Sequence, residues 1–186
     1  MRPTLIKIAI LGPTVGFLLF CILGTPLGYM HPANESALGI RVYFSPKGGC
    51  TEAVVRELDR ATNSVFVQAY SFTSAPIAEA LVNAHKRGVK VEVIIDKSQR
   101  TEKYSSSDFV AHAGIPTSID AKHAIAHNKI MVIDHHKILT GSFNFTKAAE
   151  ENNAENLLVI EDTGLAEKYA DNWNIHRKHS EEYEGK

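Results

Sequence analysis

The sequence predicts an α/β fold: a mixed, mostly β-sheet core flanked by helices on both faces, in a single domain. Three observations lead there. After Leu38, short β-branched and aromatic runs alternate with segments whose apolar residues recur at helical spacing. The order strand, helix, strand, helix, strand then gives way to two strands with no helix between them, which a purely parallel sheet does not accommodate. With 44% apolar and 22% charged residues, the chain of 186 can bury a core, so disorder is excluded as its main state.

The elements follow in order. "IRVYFS" (40–45) alternates like a strand and runs into the loop Pro46-Lys47-Gly48-Gly49. Val54, Val55, Leu58 and Ala61 form one stripe, predicting a helix over 51–62. "SVFVQAYSF" (64–72) is a second strand. Ser74 is placed to cap the next helix with Pro76 in its first turn, and Gly88 to end it. "VKVEVIID" (89–96) is a third strand, a helix over 107–113 closes at Gly114, and "IPTSI" (115–119) is a short strand. "NKIMVID" (128–134) and "KILTG" (137–141) read as a hairpin with His135-His136 at its turn. "ENLLVIE" (155–161) is the last strand, and 164–183 a helix with Leu165, Tyr169, Trp173 and His176 near one face. The acidic end of the chain reads as solvated.

The N-terminus reads differently. Arg2 and Lys7 precede an apolar run, Ile8 to Leu23, and no Lys, Arg, Asp or Glu occurs from Ile8 to Asn34. This layout predicts an export signal over 1–33, cut between Gly24 and Leu38, and a mature domain over 38–186 in the periplasm or outside the cell. Glycines and prolines in the run disfavour a stable spanning helix; an uncleaved anchor, which would hold the protein to a membrane, is the alternative. Without residues 1–33 the chain carries 18 basic against 21 acidic residues, so nucleic-acid binding has to rest on local patches. With only Cys21 and Cys50, a disulfide framework is excluded, and Cys50 reads as a small semi-buried loop residue.

Chemistry concentrates in "HNKIMVIDHHKILTGSFN" (127–144), where His127, Lys129, Asp134, Gly141, Ser142 and Asn144 fit H-x-K-x4-D-x6-G-S-x-N. In a strand, residues two apart share a face, so His127 and Lys129 point together, with Met131 and Ile133 continuing that face into the core. Asp134 has the opposite parity. Ser142 and Asn144 share a face after the hairpin returns, and Gly141 would let backbone approach a bound group. An imidazole, an ammonium, a hydroxyl and an amide suit a phosphodiester: Lys129, Ser142 and Asn144 for the non-bridging oxygens, His127 for attack or proton delivery, its ordinary pKa being about 6.5.

These six spaced residues resemble the motif of the phospholipase D superfamily, and one copy in a short chain looks most like its small bacterial endonuclease branch. The resemblance implies a homodimer, because in-line displacement needs a nucleophile and an acid on opposite sides of phosphorus, and each chain supplies one His127. It implies a phosphohistidine intermediate, retention at phosphorus, no cofactor, no metal, and hence activity in chelator. The implied catalytic set is His127, Lys129, Asp134 and Glu155, the last bracing the imidazole; Lys129, Ser142 and Asn144 hold the phosphate. The parity of Asp134 argues instead for a structural turn partner, and without the resemblance Glu155 reads equally as a surface strand acid. The implied substrate is DNA, with RNA second; a phosphatidylcholine-type phospholipid, or phosphate binding without turnover by an anchored dimer, are the alternatives.

The remaining histidines give no ligand pattern in this reading. His135 and His136 point apart, His123 lies in a loop where solvent or substrate would meet it, and His176 and His179 read as cations favouring a helix C-terminus. Lys97, Arg100 and Lys103 form a basic loop that reads as a substrate rim, whereas Lys86, Arg87 and Lys90 read as a solvated helix end. Of the aromatics, Tyr104 is left to stack on bases, and Phe72 and Phe143 are better explained by core packing.

Overall fold

The structure, a computed structural model, describes residues 39–186; the segment read as a signal or anchor lies outside the described residues. Eight strands form one sheet: β1 (Ile40–Ser45), β2 (Ser64–Ala69), β3 (Lys90–Asp96), β4 (Thr117–Asp120), β5 (Lys129–Ile133), β6 (Lys137–Gly141), β7 (Glu155–Glu161) and β8 (Glu181–Glu182). Their order is β1-β7-β6-β5-β2-β3-β4-β8. Pairing is parallel only from β2 through β3 to β4, and antiparallel elsewhere. The helices are α1 (Cys50–Asp59), α2 (Ala75–Lys86), α3 (Ser107–His112), α4 (Lys147–Glu151) and α5 (Thr163–His179). The expected α/β architecture is thus observed.

Strand alternation assigns the two faces. Val65, Val67, Met131, Ile133 and Leu139 pack with Val54 and Leu58 of α1 and Ile77 and Leu81 of α2. Phe66, Ile94, Val132 and Ile138, on the other face, pack with Ala166, Ala170 and Trp173 of α5. Trp173 stacks on Phe66 at 4.8 Å, and its indole donates to Val67 O at 2.9 Å, so the polar edge of a buried ring is satisfied.

One buried ionic group crosses the sheet. Glu57 of α1 is fully buried and meets Arg41 of β1 at 3.0 Å and Lys137 of β6; both cations also reach Glu161 of β7. Burial alone would raise the Glu57 pKa, but Lys137 and Arg41 outweigh it and hold the carboxyl below its usual range.

The hairpin turn differs slightly from expectation. Asp134 and His135 adopt left-handed φ angles of 53° each, and His136 N donates to Ile133 O, so the turn centres one residue earlier than His135-His136. Cys50 is the first residue of α1 rather than a loop residue, and is fully buried. Burial first, then the Glu150 and Glu52 charges, push its thiol up to about 12, which leaves it inert.

Candidate active site

Antiparallel and parallel registers bring one terminus of each of seven strands to the same end of the sheet. Lys129 pairs with Ala69, Gly141 with Leu157, and Glu155 with Ser45, while Asp96 pairs with Asp120. The starts of β5 and β7 therefore lie beside the ends of β1, β2, β3, β4 and β6, and His127, Ser142 and Asn144 flank that end.

His127 stands just outside β5, exposed, its ring tilted against Tyr70 at 4.4 Å between centroids. Lys129 is buried at 7% exposure. Its ammonium donates to His127 O at 2.8 Å and lies 5.0 Å from the Tyr70 ring centre. Burial lowers the Lys129 pKa and the nearby Glu155 charge opposes it. The expected common face of His127, Lys129, Met131 and Ile133 holds for the strand residues, since Met131 and Ile133 enter the α1–α2 core.

Across this end of the sheet, Ser142 Oγ accepts from Asn156 N at 3.1 Å and from Asn156 Nδ2 at 3.3 Å. Both bonds use its lone pairs, so the hydroxyl hydrogen is left to donate to a phosphate oxygen. Asn144 Oδ1 is buried with no hydrogen-bond partner among the described residues, and its main-chain oxygen accepts from Thr146 N. Asn156 is a positioning residue that the sequence reading passed over; its place directly after Glu155 in a strand paired with β6 was the available signal.

Three site expectations change. Asp134, implied to be catalytic by the resemblance, lies past the far end of β5, roughly 17 Å from Lys129 at strand rise over five residues and farther still from His127. Its carboxylate instead accepts from Thr62 N, Thr62 Oγ1, Asn63 N and Ser64 N, the contacts of a turn partner. Gly141 is needed for a different reason than a bound group: at φ 148° an added Cβ would stand 2.3 Å from Asn156 O of the neighbouring strand. Glu155 does not brace its own chain's imidazole; among the described residues its carboxylate takes one hydrogen bond, from Asn153 Nδ2 at 3.2 Å.

The basic loop is also partly committed. Lys97 Nζ donates to His123 O at 2.9 Å and Arg100 pairs with Glu181, leaving Lys103 and the 72%-exposed Tyr104 as the free rim. At the helix end, Arg87 donates to Leu58 O at 2.8 Å and Lys90 pairs with Glu92 at 2.8 Å, so that group is structural. Phe72 and Phe143 are core residues, as expected.

The reading of the other histidines is overturned in part. His123, His176 and His179 converge on the buried Asp120, and one ligand atom from each of the four lies within 4.8 Å of every other. These are the described residues able to hold a metal. Spacing D-x-x-H at 120–123 and H-x-x-H at 176–179 carried the signal, but the two segments meet only in the fold.

The chain matches the family described as cardiolipin synthase, PLD-like domain, over residues 54–176. It is 47% identical over 137 residues to a protein named phospholipase D from Rickettsia felis, covering 74% of this chain and 68% of that one. It is 34% identical over 110 residues to the mitochondrial cardiolipin hydrolase of Mus musculus, covering 59% and 50%. Among solved structures, Nuc from Salmonella typhimurium, described as a phospholipase D family member, superposes with a TM-score of 0.75 at 39% identity, covering 77% of this chain and 97% of that one. NucT from Helicobacter pylori gives 0.69 at 25% identity, covering 77% and 98%. The single H-x-K strand facing a G-S-x-N return, on this sheet, belongs to the phospholipase D superfamily, and the chain is a phosphodiesterase of that family.

Proposed function

We propose that this chain is an exported, homodimeric endonuclease that cuts DNA, and RNA second, through a phosphohistidine on His127 with no metal in the chemical step. The observation that carries the reading is the polar make-up of this end of the sheet: Tyr70 and Lys129 touch His127, and Ser142, Asn144, Glu155 and Asn156 stand at the neighbouring strand ends, so it offers donors to a polyanion rather than an apolar bed for acyl chains. Neither His127 ring nitrogen is engaged in a hydrogen bond among the described residues, which leaves one for attack on phosphorus. The second imidazole comes from the His127 of the partner subunit, and protonates the leaving oxygen. Glu155, unused by its own imidazole, is available to orient the partner's. Water then cleaves the phosphorus–nitrogen bond, the second imidazole now taking its proton, and two inversions give retention.

One observation favours a phospholipid instead. Ile125, two residues before His127, is 57% exposed, and the Rickettsia relatives carry the name phospholipase D. The two substrates separate in one experiment. Supercoiled plasmid, a single-stranded RNA and phosphatidylcholine vesicles are offered in EDTA, at a temperature where circular dichroism shows the protein folded. Nicking of plasmid by wild type and a loss of at least about a thousandfold in His127→Ala is expected, since the nucleophile is removed. Choline release without nicking would replace the nuclease reading with the lipid one. Cleavage should also show little sequence preference and weaken steeply with salt, because its contacts are to phosphate.

A further inference from the structure

We propose that Asp120, His123, His176 and His179 form a structural site for a divalent transition metal of the zinc class, which ties the end of α5 to the segment leading into His127. Asp120 ends β4 and is completely buried. Its Oδ2 lies 2.9 Å from His123 Nδ1, 2.7 Å from His176 Nδ1 and 3.3 Å from His179 Nε2. Four ligands around a zinc with metal–ligand bonds of about 2.0–2.1 Å stand about 3.3–3.4 Å apart; the Asp120–histidine separations fall at or below that, and all four ligand atoms lie within 4.8 Å of one another, so small side-chain shifts would form the shell. The rings meet at tilts of 41°, 58° and 62° rather than stacking, which lets three nitrogen lone pairs aim at one point.

Two observations favour an ion over a plain carboxylate–histidine network. His179 Nε2 is buried, and its one polar neighbour is Asp120 Oδ2 at 3.3 Å, a contact too poorly aligned for a good hydrogen bond. A donor atom in that state costs stability unless something else occupies it. The donor set is also selective: three imidazoles and one carboxylate suit zinc, cobalt or nickel, and are poor for calcium or magnesium, which demand oxygen. Asp120 Oδ1 accepts from Lys122 N at 3.1 Å, and the His123 main chain is held by Lys97, so ligands on the loop are oriented from behind. His123, with 44% of its side chain exposed, opens the site to solvent.

The placement gives the site a use. Asp120 and His123 begin the segment 120–127, whose end is pinned by Ala126 N donating to Asp96 Oδ2 at 2.7 Å. His176 and His179 lie one turn apart at the end of α5. A metal here closes a long loop of chain and fixes the approach to His127 without touching the reacting phosphate. Metal uptake displaces any protons on the three imidazoles to solvent.

The test uses the full chain, purified without a histidine tag, stripped with chelator and titrated with Co²⁺ and Zn²⁺. One Co²⁺ per chain, with the intense visible bands of four-coordinate cobalt, and a thermal midpoint raised by at least about 4 °C by excess Zn²⁺ are expected. His176→Ala and His179→Ala should weaken Co²⁺ binding more than about tenfold, and His135→Ala/His136→Ala should leave it unchanged. His123→Asn, at the most exposed ligand, decides the matter if the α5 variants misfold. Substoichiometric uptake, absent cobalt bands, affinity unmoved by His123→Asn, or binding that follows His135 and His136 would each overturn the site. None of these readouts involves turnover, so they stand apart from the nuclease assay.

Discussion

The Asp134 carboxylate receives four hydrogen bonds, three of them from the consecutive main-chain nitrogens of Thr62, Asn63 and Ser64. Burial would raise its pKa, and those donors outweigh burial and lower it. It thus ties the β5–β6 turn to the start of β2, which explains a spaced acid in a catalytic motif without a chemical role. Asp134→Ala should cost on the order of 3 kcal/mol, read as a lower urea midpoint with an unchanged m-value. Turnover per folded chain should stay within about twofold of the parent's, since distant sites act independently. A turnover collapse in a variant that remains folded would return Asp134 to the catalytic set. Gly141 and Ser142 show the same principle next to the chemistry: both answer to Asn156, one by the space it leaves and one by the bonds it accepts.

Elements with strong periodicity could be read directly from the chain. β6 and β7 fall where alternation puts them, and α2 starts after Ser74 and ends before Gly88. The elements that escaped are those stabilised by partners elsewhere in the chain. β8 is two glutamates, exposed, that pair with Ser118 and Ile119 of β4, so a stretch that reads as a solvated tail completes the sheet. α4 is five residues held by Thr146 accepting from Ala149 N, too short to show a stripe. His127, Lys129, Ser142 and Asn144 were legible because two strands with period two carry them, whereas His176 meets Asp120 across 56 residues with no local pattern linking them. Glu57 was also invisible: on α1 it reads as one more helix acid, and only the fold sets it between Arg41 and Lys137. Removing it leaves buried Arg41 and half-buried Lys137 to the more exposed Glu161 alone, so Glu57→Ala should cost about 3 kcal/mol by denaturant unfolding. The sign with pH follows from its lowered folded pKa. Its contribution is present above the unfolded value of about 4.3 and is lost as pH falls through the folded pKa. Wild type should therefore lose stability on acidification below about pH 4, and Glu57→Gln, weaker at neutral pH, should lose less over that interval. An equal loss in both proteins would mean that Glu57 is not the group titrating.

At the scale of the molecule, each chain presents one imidazole at an open end of the sheet, and in-line displacement requires two. In the proposed homodimer a two-fold axis beside His127 would supply the second with no further sequence, because an isologous interface repeats every contact. Such sharing has a stoichiometric consequence that a self-sufficient chain lacks. Wild-type and His127→Ala chains carrying different tags, co-expressed in equal amounts, should reassort so that about half of all wild-type chains sit in mixed dimers. Mixed dimers lack either the attacking or the protonating imidazole, so plasmid nicking per wild-type chain should fall to about half, and to about a quarter when the variant is in threefold excess. Purifying the mixed species by its two tags isolates the same effect: it should be as inactive as the His127→Ala homodimer while unfolding at a similar temperature. Activity proportional to the wild-type chains present, whatever the excess of variant, would show that one chain completes the reaction alone, and the shared-imidazole mechanism would have to be abandoned although the chain remains a phospholipase D superfamily member.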